Sequence, residues 1–133
     1  MRIMAIDYGD AHTGIAISDP TGLLAGFTTV INAYRPDRVT GQIALLAKEH
    51  RVERLVLGHP INMDGTRGPR SEKAQAMRQL LKETTGLPVV LWDERRTTID
   101  AHQILMSSGK NAKKRKKVVD AVAASLILEG YLT

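Results

Sequence analysis

The sequence predicts an α/β fold, in which a mixed five-stranded sheet carries helices on both of its faces. Near the N-terminus, three short runs rich in apolar and β-branched residues are joined by links short enough to favour antiparallel hairpins. From residue 36 onward, stretches with helical spacing of apolar residues alternate with short apolar runs. Hairpin strands followed by alternating helices and strands are typical of a mixed sheet covered on both faces.

The predicted strands are short and are bounded by turn-forming residues. Residues 3–6 form a continuous apolar run, which is typical of a buried central strand, and Asp7 ends it. Residues 8–14 are rich in turn formers and are expected to link the first strand to the second. The same criteria place the five strands at residues 3–6, 15–18, 24–31, 54–58 and 88–92.

The predicted helices show apolar residues three or four positions apart. The first follows Pro36, and the second follows a loop over residues 59–69 and is closed by Gly86. A third is expected to start at Thr97 with a pattern that resembles a capping box, and a last one spans residues 113–132. The predicted order is therefore β-β-β-α-β-α-β-α-α.

The length and charge of the chain indicate its domain content and its class of partner. With 133 residues, the chain is expected to form a single domain over residues 1–133. Its 19 basic against 14 acidic side chains give a net charge of +5, which favours a polyanionic partner such as nucleic acid. The alternative is that the chain is one of the many small basic proteins that bind no polyanion.

Several function classes are excluded by what the sequence lacks. There are no cysteines, so disulfides, thiolate metal sites and a cysteine nucleophile are ruled out. The N-terminal residues do not resemble a signal peptide, and no apolar stretch approaches the roughly 20 residues of a membrane span. We therefore expect a cytoplasmic protein with no membrane partner.

Three carboxylates from distant segments are candidate metal ligands: Asp7, Glu94 and Asp120. Asp7 and Glu94 each follow a predicted strand, and ligand sites in open α/β sheets lie beyond the carboxyl ends of strands. If these two strands are parallel, both acids emerge at one edge, and the last helix must lie across that edge to bring in Asp120. Such a set suits two Mg²⁺ or Mn²⁺ ions about 4 Å apart, which promote phosphodiester hydrolysis.

Each of these acids also has a purely structural interpretation. Asp7 could cap a turn, and Glu94 belongs to a charged cluster over residues 93–96 that could simply be solvated. Asp120 could pair at the surface with Lys116 and Lys117, which precede it by one helical turn. Spacing alone therefore makes the metal site plausible but not specific.

A basic run over residues 113–117 leads into the segment that carries Asp120. On a helix, Lys113, Lys117 and Asp120 share one face, so phosphate-attracting charge lies beside the predicted metal site. Phosphate contacts supply affinity without sequence readout, and an aromatic content of 4% argues against a base-stacking platform. Further cations that could extend this surface are Arg67, Arg70, Arg95 and Arg96.

Four motifs, in this order, resemble the YqgF family, also called RuvX, whose members are described as Holliday junction resolvases or pre-16S rRNA nucleases. They are AIDYG at residues 5–9 with Thr13-Gly14, GHPINMDGT at 58–66, DERRTT at 93–98, and the closing helix from Lys116 through Asp120 to Leu128. The resemblance covers essentially the full length of the chain, and four motifs in the right order are far more specific than any one of them.

The resemblance implies an RNase H-like fold, which agrees with the element order above. It also implies that Asp7, Glu94 and Asp120 form the active site and hold Mg²⁺ or Mn²⁺, with two ions expected. Asn62 and Lys116 lie within the motifs and join the predicted nucleic-acid-binding residues.

The chain departs from the implied pattern at two places. RuvC-like sites commonly have a second acid on the last helix, but Ala123 and Ala124 occupy the turn after Asp120, so a fourth carboxylate is absent there. His59 is polar where many relatives have an apolar residue, and it could face the site or cap a loop.

Four hypotheses about function follow. The first is a nuclease that acts on structured RNA, namely the 5′ end of precursor 16S rRNA, with ribosomal precursor particles as partners. The second keeps the chemistry and changes the substrate to four-way DNA junctions, which symmetric dimers cut; monomer and homodimer both stay open. In the third, the hairpin from Asp7 to Gly14 resembles the phosphate loop of actin-like ATPases and sugar kinases. The fourth is a nucleic-acid-binding or ribosome-binding module without catalysis.

Overall fold

The fold is built on one five-stranded sheet. The computed structural model describes residues 1–9, 11–19, 25–59, 69–93 and 112–132. Within them, the strands are β1 (Ile3–Asp7), β2 (His12–Ser18), β3 (Ala25–Asn32), β4 (Arg54–His59) and β5 (Val89–Asp93).

The sheet is mixed, with strand order β3-β2-β1-β4-β5. The hairpin pairs β1–β2 and β2–β3 are antiparallel, whereas β1–β4 and β4–β5 are parallel. The predicted architecture of hairpin strands followed by alternating helices and strands is therefore confirmed. The crossovers place β1 at the centre, which agrees with its continuous apolar sequence.

Helices cover both faces of the sheet, as predicted. They are α1 (Pro36–Glu49), α2 (Pro69–Thr85) and α3 (Ala112–Leu132). The helices α1 and α2 pack together on one face, and α3 packs on the other, against β1, β2, β3 and β4. The helix expected to start at Thr97 falls outside the described residues.

Side-chain alternation along β1 distributes its residues between the two faces. Met4 and Ile6 pack in the core beneath α1 and α2, whereas Ile3 and Ala5 pack beneath α3. We call these two surfaces of the sheet the α1–α2 face and the α3 face. All four residues are buried, so β1 is covered on both sides.

Several element boundaries differ from the prediction, most of them by one residue, and the start of β2 differs by three. The second strand begins at His12, not at residue 15, because Gly14 pairs with Asp7 of β1 and the β2–β3 ladder continues to the pair His12–Asn32. This requires a tight reversal, and Gly9 permits it, since a Cβ at Gly9 would collide with the His12 carbonyl oxygen. The second helix begins at Pro69, which the prediction placed in a loop; proline suits a first helical turn because its missing N–H needs no partner there.

The second helix, α2, ends just before Gly86, as predicted. Gly86 has φ +71°, and its N–H donates to the Lys82 carbonyl at 3.0 Å. A left-handed residue after a helix is the usual position for glycine, which has no Cβ to clash. Among the described helices, none combines the length and apolarity needed to cross a membrane.

Candidate active site

Asp7 is the last residue of β1 and lies at the carboxyl edge of the sheet. Because Ile3 and Ala5 face α3, the alternation of the strand directs the Asp7 side chain to the α3 face as well. Asp7 is half-buried, in contrast to the fully buried residues before it. It therefore has the placement expected for a ligand-binding carboxylate: fixed by a central strand and accessible at its end.

Glycines lie on both sides of Asp7 in the sheet. Gly14 of β2 pairs with Asp7, and on the other side Gly58 follows Leu57, the residue of β4 that pairs with Ile6. Glycine within a strand often marks a place where a ligand or another backbone approaches closely. The two glycines leave the α3 face without strand side chains directly beside the carboxylate.

The strand carrying Asp7 and the strand preceding Glu94 are parallel, as the prediction of a shared edge required. Both pair with β4 in the same direction, so their carboxyl ends meet at one edge of the sheet. Two strand spacings separate β1 from β5, or about 10 Å. Glu94 itself follows Asp93, the end of β5, and lies outside the described residues, so its position stays a prediction.

Asp120 lies in α3, the helix that packs on the face to which Asp7 points. Its backbone is one helical turn before Ala123 and Ala124, both of which are fully buried. The last helix therefore packs on β1, the strand that carries Asp7, and the placement of Asp120 at the carboxyl edge stays a prediction. Of the two alanines that occupy the turn where a fourth acid was expected, Ala124 packs against the sheet.

The other predicted residues divide between the described helices and the remaining segments. Lys113, Lys116 and Lys117 belong to the first two turns of α3, so the run of cations is helical. Arg70 is the second residue of α2, which packs on the face of the sheet opposite α3, and its part in nucleic-acid binding stays a prediction. His59 ends β4 at the carboxyl edge. The residues that fall outside the described ranges are Asn62, Arg67, Arg95 and Arg96.

Within the described ranges, no three histidine or acidic side chains come together as a metal site would require. Of the predicted trio, the structure describes the side chain of Asp7 alone. The trio therefore stays a prediction, supported at this stage by the placement of Asp7, the direction of β5 and the position of α3.

A pair of polar residues at the same edge was missed by the sequence analysis. His12 Nδ1 lies 2.6 Å from Asn32 Oδ1, joining the start of β2 to the end of β3. His12 is two residues before Gly14, so it shares the α3 face with Asp7. The alternating residues His12, Gly14, Ala16 and Ser18 could have revealed the longer strand. The neighbouring turn-forming residues led instead to the prediction of a link over residues 8–14.

Thr13 is also at this edge, but it faces the other way. It is 0% exposed, and its hydroxyl has no hydrogen-bond partner in the described part of the structure. It alternates with Gly14 and lies on the same side as Ile15, which packs in the core beneath α1 and α2. Thr13 is thus separated from Asp7 by the thickness of the sheet.

Comparison with known proteins agrees with this architecture. The family model described as "RuvX: Holliday junction resolvase" matches residues 1–133. A protein of Halothermothrix orenii is 44% identical over 132 residues, covering 99% of this chain and 94% of its own. A protein of Bacillus subtilis is 43% identical over 134 residues, covering 99% and 97%. Both are named "Putative pre-16S rRNA nuclease".

Among solved structures, the chain is similar to T. thermophilus RuvC in complex with a Holliday junction substrate, with a TM-score of 0.63. The two are 17% identical, over 96% of this chain and 91% of that one, so the likeness concerns the fold. With the family model matching along its whole length, the chain belongs to the RuvX family of nucleases, also called YqgF, and has an RNase H-like fold.

Proposed function

We propose that this protein is a divalent-metal-dependent endonuclease that processes the 5′ end of precursor 16S rRNA. The observation that carries the proposal is the placement of Asp7, half-buried at the end of the central strand with a glycine on either side. The names of the relatives from H. orenii and B. subtilis support the choice of RNA substrate.

The residues at this edge suit Mg²⁺ or Mn²⁺. Both ions prefer carboxylate oxygens, and the chain has no thiolate to select a softer metal. Asp7, Glu94 and Asp120 would hold the metal, with two ions expected. Bound there, divalent ions would neutralise charge on the attacking and leaving oxygens of the phosphodiester.

The protein residues themselves would bind and orient the RNA backbone. The glycines beside Asp7 let a phosphate approach the carboxylate without meeting a strand side chain. Lys113, Lys116 and Lys117, on the first turns of α3, would attract phosphates and add affinity without sequence readout. On the same electrostatic argument, Arg67, Arg70, Arg95 and Arg96 are proposed as further contacts to the nucleic acid. The uncharged Asn62 is proposed as a contact because it lies within the second motif.

Cleavage of a precursor 16S rRNA fragment in Mg²⁺ or Mn²⁺ tests the proposal. Asp7→Asn removes the charge and keeps the shape, and we expect it to lower the cleavage rate by about 100-fold or more. Asp37→Asn is the matched control, because Asp37 is an exposed partner of Arg35 at the start of α1. Circular dichroism establishes that both variants are folded. Undiminished cleavage by Asp7→Asn would exclude Asp7 from the site.

A four-way DNA junction is the second candidate substrate, favoured by the family description and by the fold shared with RuvC. Resolvases cut two opposed strands, so this function requires a symmetric dimer. Sedimentation under assay conditions decides the point: a strict monomer that still cleaves RNA excludes junction resolution. A dimer that cuts junctions in preference to precursor rRNA would replace the first proposal.

The burial of Thr13 argues against the ATPase hypothesis. A phosphate loop needs accessible polar groups, whereas Thr13 is 0% exposed and lies on the α1–α2 face. Tight ATP binding in calorimetry would revive that hypothesis.

A purely binding function would appear as retained RNA affinity without metal-dependent cleavage.

A further inference from the structure

We propose that His12 is a further ligand of the divalent ion held at Asp7, and that it binds the ion through Nε2. The inference rests on the proposed function, because it assumes an ion at Asp7. It assigns a role to a side chain that neither the acidic trio nor the basic run includes.

The register of the β1–β2 hairpin brings His12 to the site. Asp7 pairs directly with Gly14, and His12 is two residues before Gly14 on the same strand. Diagonal neighbours of this kind in an antiparallel pair are about 7–8 Å apart and share a face, so long and aromatic side chains can bridge them. Gly14 places no side chain between the imidazole and the carboxylate.

The hydrogen bond to Asn32 orients the imidazole ring. Asn32 lies opposite His12 on β3, on the side away from β1, and its Oδ1 is 2.6 Å from His12 Nδ1. The two nitrogens of an imidazole point in nearly opposite directions across the ring. Because Nδ1 points to β3, Nε2 is directed away from β3 and toward the side on which Asp7 lies.

The same hydrogen bond fixes the tautomer. An amide oxygen only accepts, so Nδ1 carries the hydrogen, and Nε2 of the neutral ring holds a lone pair. Among the described residues, Asn32 is the hydrogen-bond partner that His12 has. Metal-binding histidines almost always donate their second ring N–H to an oxygen in this way. His12 and Asn32 therefore match the arrangement of a ligand and its supporting residue.

A nitrogen ligand from the sheet would compensate for the acid that is missing from α3. Ala123 and Ala124 are fully buried and provide no donor. Imidazole binds Mn²⁺ and the later transition ions more readily than it binds Mg²⁺, which prefers oxygen. We therefore expect this protein to prefer Mn²⁺, and we expect the preference to depend on His12.

Pulsed electron paramagnetic resonance of Mn²⁺ added to the full chain tests the inference without measuring activity. We expect the wild-type complex to show the coupling of a directly bound imidazole nitrogen, and His12→Gln to lose it. His50→Gln is the control, because His50 packs against Phe27 and follows α1, outside the proposed site. It should leave the coupling unchanged.

Metal affinity supplies a second measurement. His12→Gln should weaken Mn²⁺ binding by about 10-fold or more and Mg²⁺ binding by much less, so the preference for Mn²⁺ falls. Asn32→Ala should weaken Mn²⁺ binding in the same direction, whereas Asn32→Asp should restore it, because a carboxylate also accepts from Nδ1.

The outcomes separate this inference from the proposed function. Mn²⁺ that binds in an Asp7-dependent manner without nitrogen coupling overturns the role of His12 and leaves the proposed function standing. Nitrogen coupling that survives His12→Gln assigns the ligand to another histidine and likewise overturns the inference. If the wild-type chain binds no Mn²⁺ at all, both the inference and the metal-dependent function fail.

Discussion

The two faces of the sheet are built from side chains of very different size. The α1–α2 face carries large apolar residues such as Met4, Ile6 and Leu57, all fully buried. The α3 face carries the smaller residues Ala5 on β1 and Ala16 on β2, with Gly14 beside Asp7. Burial of large side chains stabilises the fold, whereas small ones let α3 approach the sheet closely.

Together with the proposed role of Asp7, this contrast predicts that stability depends mainly on the α1–α2 face and cleavage on the α3 face. Substitutions on the α1–α2 face should then change the free energy of unfolding in proportion to the volume lost. On the α3 face, larger side chains should lower the free energy of unfolding because they crowd the contact with α3. At the carboxyl edge of that face, substitutions should lower the cleavage rate more than the stability.

The largest effect is expected from Leu57→Ala on the α1–α2 face. Leu57 is 0% exposed, so its truncation should lower the free energy of unfolding by about 2–5 kcal/mol through lost burial and a cavity. Leu45→Ala on α1 is the control, because Leu45 is 68% exposed, and its change should stay within about 0.5 kcal/mol. Denaturant unfolding measures both. Equal losses at the two positions would contradict the assignment of stability to this face.

A smaller loss of stability is expected from Ala124→Leu, and its cause is overpacking where that of Leu57→Ala is a cavity. Ala124 is buried in the cluster beneath α3 with Ala5 and Ala16, so the larger side chain has no space and should cost about 1–3 kcal/mol. Glu129→Leu adds a similar side chain at an exposed position of the same helix and should cost much less. A stabilising Ala124→Leu would mean that this interface is loosely packed.

The chemical role of the α3 face is tested by Gly14→Ala. The added methyl group would lie on the α3 face directly opposite Asp7, with about 5 Å between the Cβ atoms. We expect a loss of cleavage of about 10-fold, equivalent to about 1.4 kcal/mol, with little loss of stability. Gly41→Ala on α1 is the control: a Cβ there meets nothing within 4 Å, so stability should rise and cleavage should not change. Wild-type cleavage by Gly14→Ala would show that the space beside Asp7 is not used.

Apolar periodicity made most of the fold predictable, because burial on one or both faces leaves a clear pattern. The run Ile3–Asp7 and the spacing of Ala74, Met77 and Leu81 in α2 are examples, and these three α2 residues are all buried. The first three residues of β2 were missed because His12, Thr13 and Gly14 carry no such pattern. Their strand conformation depends on the ladder to β1 and β3, which is a tertiary interaction.

The candidate site was predictable only in part, for a related reason. Asp7 stands out in the sequence because a charged residue ends an apolar strand. The partnership of His12 with Asn32 joins residues 20 positions apart and requires the register of β2 on β3, since a shift of one residue would send the two side chains to opposite faces. Asp7 lies on the face that α3 covers because of the order and register of the strands. The separate sequence motifs do not specify that arrangement.

The smallest effect, and one of opposite sign, is expected from Thr13→Val. Thr13 is buried on the α1–α2 face, and its hydroxyl has no hydrogen-bond partner in the described part of the structure. Replacing an unsatisfied hydroxyl with a methyl group of similar shape removes a desolvation cost, so the free energy of unfolding should rise by up to about 1 kcal/mol. Thermal and denaturant unfolding both measure this change.

Thr40→Val is the matched control for that prediction. Thr40 is 4% exposed and lies on α1, but its hydroxyl donates to the Asp37 carbonyl at 3.1 Å. The same chemical change there removes a hydrogen bond, so it should lower the free energy of unfolding by about 1 kcal/mol. If Thr13→Val destabilises the protein as much as Thr40→Val does, the Thr13 hydroxyl has a hydrogen-bond partner in solution. The α1–α2 face would then contain a polar contact at the carboxyl edge of the sheet, across the sheet from Asp7.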